Sequence, residues 1–189
     1  MSADVYGQDM NGGTAGVVAR PIRLFPAALL LGFVLDHLVP LPFVVQRAAP
    51  LLGFTLDQPP SFQLGTSRIG MVHWIIATIA GTLFLIGIAL FAAGVRNFSR
   101  AATPLPTNQP ARVLVTTGVH AWTRNPIYLG FFLMYAGIGI AARSPSVLAL
   151  TLPLAVTIRY GVVAREEAYL ERRFGDTYRD YRSRVRRWL

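Results

Sequence analysis

Residues 69–95 read IGMVHWIIATIAGTLFLIGIALFAAGV, and this run contains no Asp, Glu, Lys or Arg between Arg68 and Arg96. A bilayer core about 30 Å thick is crossed by about 20 helical residues, so the run is long enough to span it. The whole chain is 53% hydrophobic and only 14% charged, whereas soluble domains have about 25% charged residues. The sequence therefore predicts an integral membrane protein.

Three further apolar stretches are separated by charged residues. They lie between Leu24 and about Val45, between Arg124 and Arg143, and from Ser146 to about Ala164. The last two are barely long enough to cross a bilayer, so we expect them to form a tight hairpin. These patterns predict an all-α integral membrane protein of about four transmembrane helices, folded as a single membrane domain over residues 1–189.

The distribution of arginine predicts the orientation of these spans. All 18 basic residues are arginine. With both termini in the cytoplasm, only Arg47, Arg68 and Arg143 fall on the outer side. Cytoplasmic loops carry an excess of basic residues, so we expect a multi-pass protein of the cell (inner) membrane with both termini cytoplasmic.

The remaining composition narrows the classes of partner. A net charge of +9 in so hydrophobic a chain favours membrane lipids over nucleic acid as the anionic partner. The absence of cysteine excludes disulfides, thiolate metal sites and a cysteine nucleophile.

Residues 1–20 are polar and glycine-rich and lack the pattern of a signal peptide, so we expect a flexible N-terminus. An additional or re-entrant span within Val44–Phe62 is an alternative that Pro50, Pro59 and Pro60 disfavour.

The C-terminal segment has the periodicity of an amphipathic helix. Residues on one side recur every three or four positions: Val163, Glu167, Leu170, Phe174, Tyr178, Tyr181, Val185 and Trp188. The arginines fall mostly elsewhere. Such a helix lies along the membrane surface, where arginines reach lipid phosphates.

Residues 114–130 read LVTTGVHAWTRNPIYLG and combine a glycine turn with a helix start. Proline is favoured in the first turn of a helix, which fits Pro126, and Asn125 is a favoured N-cap. Free backbone N–H groups at such a start can hold a carboxylate or another anionic group. The alternative is a plain helix cap at the membrane surface.

A pair of carboxylates, Glu166 and Glu167, lies where the fourth span leaves the membrane. Glu167 falls nearer the apolar side, which Arg159 shares two turns earlier. Ionisable groups at membrane depth are costly and therefore indicate function, although a structural Arg159–Glu pair is an equal alternative.

Asp36, His37 and His73 are scattered and far from this end, so we predict no metal site.

These segments together resemble a known family. Arg124-Asn-Pro-Ile-Tyr-Leu-Gly130, preceded by Leu-Val-Thr-Thr-Gly and followed by Glu-Glu-x-x-Leu-x-x-x-Phe-Gly-x-x-Tyr-x-x-Tyr, resembles the isoprenylcysteine carboxyl methyltransferase family and the related phospholipid methyltransferases. The resemblance covers about Ala102 to Tyr181. It implies a membrane methyltransferase that uses S-adenosylmethionine and acts on a lipophilic small-molecule acceptor, such as an isoprenylcysteine-like carboxylate or another lipid-like nucleophile.

The resemblance also implies the site residues, within a cofactor-binding and catalytic segment at 96–182. The cofactor pocket would be lined by Leu114, Val115, Thr117, Gly118, Val119, Asn125, Pro126, Tyr128, Leu129, Glu166 and Glu167. Glu167, Tyr128 and Arg159 are the candidates for a catalytic role. The alternatives are an NADPH-dependent enzyme similar to the sterol reductases and a non-catalytic membrane protein. The sequence leaves the oligomeric state and the methylated atom open.

Overall fold

The computed structural model describes residues 17, 20–39, 66–104 and 110–188. Within these ranges the chain is helical and has no β-strand, which confirms the predicted all-α fold. The α-helices are α1 (Pro21–Leu38), α2 (Thr66–Arg100), α3 (Pro126–Ala141), α4 (Pro145–Ile158), α5 (Ala164–Phe174) and α6 (Asp176–Arg184). Most of the N-terminal segment expected to be flexible and the alternative span within Val44–Phe62 lie outside the described residues.

Three stretches are long and apolar enough to cross a membrane, namely Pro21–Leu38, His73–Arg100 and Pro145–Phe174. The third predicted span forms α3, which is apolar but has only 16 residues. At 1.5 Å per residue it rises about 24 Å, less than the roughly 30 Å of a hydrocarbon core. The described residues thus fit an integral membrane protein, while the multi-pass arrangement with four spans stays a prediction that depends on α3.

The last membrane stretch is interrupted by a π-helical turn. Helix α4 continues through this turn, Arg159–Val163, into α5 without leaving the helical path. A π turn contains one residue more than an α-helical turn. Arg159 is exposed, whereas Glu167 is buried. The prediction that the two residues lie together on the apolar side is therefore wrong at Arg159.

The predicted hairpin between α3 and α4 is present and tight. Arg143 has a positive φ of 51°, and the Ser144 N–H donates to the Gly139 carbonyl at 2.9 Å. Asp36 of α1 accepts hydrogen bonds from the Ser144 hydroxyl and, at 3.1 Å, from the Ser146 N–H. A carboxylate at a helix N-terminus is stabilising, so the function of Asp36 is to hold α1 to the start of α4.

Close approach of helices explains several glycines in the apolar region. A Cβ on Gly87 would lie 2.7 Å from the Gly130 carbonyl oxygen, and one on Gly137 would lie 2.8 Å from the Ala80 carbonyl oxygen. Small residues allow backbones to approach in membranes. Aromatic rings fill the neighbouring space, where Phe25 stacks on Phe131 with centroids 4.9 Å apart.

The C-terminal segment differs from the single amphipathic helix that its periodicity predicts. Gly175, with φ 53° and ψ −126°, ends α5 after Phe174 and precedes α6. This is a backbone conformation that glycine adopts readily. Helix α6 ends at Arg184, and Val185 is extended, so the prediction of a helix through Trp188 is wrong at both points.

The chain divides into two compact units. One contains the described residues of Leu90–Leu129 and Ala155–Leu189, and the other contains those of Ile22–Ala89 and Gly130–Leu154. The first unit carries the polar motifs that the sequence singles out. The second unit contains the aromatic cluster, the glycine contacts and the hairpin.

Candidate active site

The start of α3 is the first component of the site. Pro126 begins the helix, and the Asn125 carbonyl accepts a hydrogen bond from the Leu129 N–H at 3.0 Å. Asn125 is buried, and its side-chain amide donates to the Arg187 carbonyl at 2.9 Å. Asn125 therefore stands at the predicted N-cap position, and its amide connects the helix start to the C-terminal segment.

The backbone donors expected to be free before α3 are already used. The Arg124 N–H donates to the Arg186 carbonyl at 3.0 Å, and the Asn125 N–H donates to the Thr123 hydroxyl at 3.3 Å. Proline has no N–H to offer at the next position. An anionic ligand would consequently not be bound by the backbone N–H groups of residues 124–126.

The loop before α3 is positioned by polar contacts to α2 and α5. Asn97 of α2 donates from its side-chain amide to the Thr117 carbonyl at 2.7 Å. Gly118 has φ 61°, and a Cβ there would lie 2.5 Å from the Asn97 side chain, so glycine is required. The Ala111 N–H donates to the Tyr169 hydroxyl of α5 at 3.0 Å.

His120 is a buried structural residue of this loop. Its side chain lies against Phe98 in an edge-to-face arrangement, and the residue is 4% exposed. Burial lowers the pKa of His120 to about 4, because desolvation disfavours the charged imidazole. The Tyr181 hydroxyl donates to the His120 carbonyl at 2.7 Å, which anchors α6 to the loop.

Glu167 is held by two arginines. Its carboxylate is 3.3 Å from Arg124 and 2.5 Å from Arg187, which also donates from Nε at 3.0 Å. Two-point contacts between a guanidinium and a carboxylate are among the strongest charged hydrogen bonds. The pKa of Arg187 is raised chiefly by this hydrogen bond to Glu167.

Glu166 is buried as deeply as Glu167 but has a different partner. The two residues are 8% and 7% exposed. The Tyr128 hydroxyl donates to Glu166 Oε1 at 2.7 Å. The sequence places Glu167 closer to the interior than Glu166, whereas the structure buries both. The difference between them lies in their partners, a phenol for one and two guanidinium groups for the other.

Arg124 has hydrogen-bonding capacity that the described protein does not use. Its side chain is 9% exposed. Nη2 contacts Glu167, while Nε and Nη1 are buried and have no hydrogen-bond partner. Unsatisfied buried donors are costly and call for an explanation. The Arg124 side chain also lies near Tyr178, which is 1% exposed and whose pKa is raised to about 12, chiefly by burial and also by the charge of Glu167.

The structure brings together only some of the predicted residues. Asn125, Tyr128, Glu166 and Glu167 are buried in the same compact unit, and contacts link Tyr128 to Glu166 and Asn125 to Arg187. Around them, Val115 and Pro126 are buried, Leu114, Val119 and Leu129 are half-buried, and Thr117 and Gly118 are exposed. Arg159 is exposed and lies over the Tyr160 ring, 5.4 Å from its centroid. Among the described residues no ion pair joins Arg159 to a glutamate, so the alternative of an Arg159–Glu pair is wrong.

Two arginines of the site are missed by sequence reasoning. Arg124 belongs to the quoted motif but receives no role from it, and Arg187 appears as one of several surface arginines of a helix. No pattern in the sequence distinguishes Arg187 from the other arginines of this segment. The return of the chain after Arg184, which brings Arg187 to Glu167, follows from the helix ending there.

Comparison with known proteins gives consistent matches. The model of the phospholipid methyltransferase family matches residues 75–177. The chain is 31% identical over 170 residues to the protein-S-isoprenylcysteine O-methyltransferase of Rattus norvegicus, covering 85% of this chain and 55% of that protein. It is 30% identical over 116 residues to the enzyme of that name from Saccharomyces cerevisiae, covering 58% of this chain and 47% of the relative.

A bacterial relative also matches the chain. An uncharacterized protein of Haemophilus influenzae is 39% identical over 69 residues, which cover 36% of this chain and 84% of that protein. The chain spans about half the length of the curated isoprenylcysteine methyltransferases named above. The family match covers the loop, α3 and α5, which carry the buried carboxylates and Arg124.

Proposed function

Since the chain belongs to the phospholipid methyltransferase family, we propose that it is a membrane methyltransferase that transfers a methyl group from S-adenosylmethionine to a lipophilic acceptor. The observation that carries this proposal is the buried Arg124 with two unpartnered donors beside Glu167. Charge-assisted hydrogen bonds from a guanidinium to a carboxylate are strong, so a carboxylate is a suitable acceptor for these free donors. Both the proposed cofactor, at its amino-acid end, and an isoprenylcysteine-like acceptor contain a carboxylate.

The residues of the site fit such a cofactor. Arg124 would bind a carboxylate, and the loop Leu114–Val119 with the helix start Asn125–Leu129 would line the pocket. The sulfonium cofactor supplies an activated methyl group when bound. Methylation of a carboxylate then needs no base, because the acceptor oxygen is already ionised and no proton leaves it. The task of the protein is to align donor and acceptor and to exclude water.

The carboxylates are assigned supporting roles on their contacts. Glu167 would orient Arg124, because its two oxygens face guanidinium groups. Glu166 would hold the Tyr128 hydroxyl towards the pocket and remains available to a polar group of the cofactor. We assign no catalytic role to Arg159 in this proposal, since it is exposed and lies over the Tyr160 ring.

A transfer assay tests the function. Detergent-purified protein is incubated with methyl-labelled S-adenosylmethionine and an S-isoprenylated cysteine bearing a free carboxylate. We expect label in a base-labile ester of the acceptor, and none with the same compound as its primary amide. NADPH-dependent reduction of an apolar substrate, with no methyl transfer to any lipophilic acceptor, would instead support the reductase alternative.

Selectivity for lipophilic acceptors is a second part of the proposal. If binding of the apolar part helps to position the reacting group, shortening that part lowers kcat as well as affinity. A series of acceptors with one carboxylate and shrinking apolar chains measures this in liposomes. Equal kcat/KM across the series would indicate a small water-soluble acceptor.

The topology is proposed from the arginine distribution, with both termini in the cytoplasm. Reporter fusions after Arg47 and Arg143 should read external, and a fusion after Arg112 should read internal. A cytoplasmic signal at Arg143 would contradict the proposed path of α3 and α4.

A further inference from the structure

The segment Val185–Trp188 lies along the residues that precede α3. It is extended at Val185. Its carbonyl groups accept hydrogen bonds from the Arg124 N–H at 3.0 Å, from the Thr123 hydroxyl at 3.2 Å and from the Asn125 amide at 2.9 Å. Three hydrogen-bond donors at residues 123–125 thus find their acceptors in the segment Val185–Trp188. This segment lies beyond the region that the family model matches, which ends at residue 177.

The side chain of Arg187 adds a charge to this arrangement. Its guanidinium contacts both oxygens of Glu167, through Nε at 3.0 Å and Nη2 at 2.5 Å. Arg124 contacts the same carboxylate through Nη2 alone. The cluster therefore has two guanidinium groups for one carboxylate, and its net charge is positive.

This excess of positive charge explains why Arg124 has N–H donors without a hydrogen-bond acceptor. An arginine and a carboxylate that are buried together tend to make a two-point contact. Here Arg187 makes that contact with Glu167, and Nε and Nη1 of Arg124 stay buried without a partner. Without Arg187, Glu167 would attract a second N–H of Arg124 and would neutralise its charge.

We propose that Arg187 is a positioning residue that sets the ligand selectivity of the site, by neutralising Glu167 and so leaving Arg124 free to bind a carboxylate. This inference rests on the proposed function. The carboxylate belongs either to the amino-acid end of the methyl donor or to the acceptor. Both sources have the same chemistry, and ligand pairs with and without the carboxylate separate them.

The test compares Arg187→Gln and Arg187→Lys with a matched control, Arg186→Gln. Arg186 is the neighbouring residue and its side chain is exposed. Two ligand pairs are titrated by calorimetry in detergent. One pair is S-adenosylhomocysteine and 5′-methylthioadenosine, which lacks the amino-acid carboxylate. The other is an S-isoprenylated cysteine and its primary amide.

We expect Arg187→Gln to weaken binding of the carboxylate-bearing member of one pair at least tenfold, and that of its carboxylate-free counterpart less than twofold. The pair affected identifies the source of the carboxylate. Arg187→Lys should recover part of the affinity, because lysine retains the charge without the fork geometry. Arg186→Gln should bind as the wild type does.

Equal losses for both members of each pair would overturn the inference, because a merely structural residue would weaken all ligands alike. Unchanged affinity in a folded Arg187→Gln variant would overturn it too. Wild-type binding is measured first. Wild-type protein that binds neither S-adenosylhomocysteine nor an isoprenylated cysteine would refute the proposed function and the inference with it. Wild-type binding without the selective loss would refute the inference alone.

Discussion

The two compact units are stabilised by different interactions. The unit of α1, the hairpin and the apolar part of α2 packs aromatic rings and closely approaching glycines, and Asp36 makes polar contacts at the hairpin. The other unit is connected by buried carboxylates, guanidinium groups, phenols and amides. Van der Waals packing determines how closely helices approach, whereas hydrogen bonds fix the direction of individual groups. We therefore expect substitutions in the first unit to affect stability and those in the second to affect binding and catalysis.

The largest expected effect is on Arg124. Arg124→Gln removes the unpartnered donors, while Arg187 continues to compensate Glu167. We expect kcat/KM for methyl transfer to fall at least about 100-fold, the loss for about 3 kcal/mol of charged hydrogen bonding. The thermal midpoint in detergent should change little. Arg172→Gln, an exposed arginine of α5, is the control and should retain full activity.

Glu167 is expected to contribute to both stability and binding. Glu167→Gln leaves two guanidinium groups without their carboxylate, and breaking a buried ion pair costs about 3–5 kcal/mol of folding free energy. Because Arg124 is then no longer held, binding of S-adenosylhomocysteine should weaken by about 1–3 kcal/mol. Glu166→Gln should cost less, since it replaces one acceptor of a phenol by another. A larger loss of binding in Glu166→Gln would assign the cofactor contact to Glu166.

His120 makes the site-bearing unit sensitive to acid. Its folded pKa of about 4 lies below the ordinary value of 6.5, so the unfolded chain binds more protons between these two values. Stability is then fully present above pH 6.5 and falls as the pH decreases towards 4, by about 1–3 kcal/mol. The thermal midpoint measured over this range should fall in the wild type and fall less in His120→Phe. An identical acid limb in both proteins would show that other groups cause it.

The smallest expected effects concern the glycines of α2. Gly87→Ala forces a Cβ to within 2.7 Å of a backbone oxygen, whereas a Cβ on Gly81 meets nothing within 4 Å. We expect Gly87→Ala to destabilise the protein by about 1–3 kcal/mol through overpacking. Gly81→Ala should stabilise it by about 0.5–1 kcal/mol, since alanine is the better helix former. Cofactor affinity of the folded protein should be unchanged in both variants, and a loss in Gly87→Ala would show that the two units are not independent.

The sequence predicts the apolar helices well, because their signal is a long run of like residues. Residues 69–95 and the turn at Arg143 need no knowledge of the rest of the chain. The site is harder to predict, because its contacts depend on which side of a helix each residue faces and on where the chain reverses direction. The π turn at Arg159–Val163 interrupts the regular α-helical periodicity, and no residue type indicates it in the sequence. The end of α6 at Arg184 places Arg187 on Glu167, although its spacing suggests a solvated helix face.

The central claim is tested most directly by calorimetric titration of the detergent-purified protein with S-adenosylhomocysteine, beside the Arg124→Gln variant and with NADPH as the competing ligand. We predict that the wild type binds S-adenosylhomocysteine and does not bind NADPH. If Arg124 binds the carboxylate of the cofactor, the variant binds S-adenosylhomocysteine more weakly. If Arg124 binds the carboxylate of the acceptor, the variant instead loses methyl transfer. Binding of NADPH without any binding of S-adenosylhomocysteine would contradict the assignment as a methyltransferase.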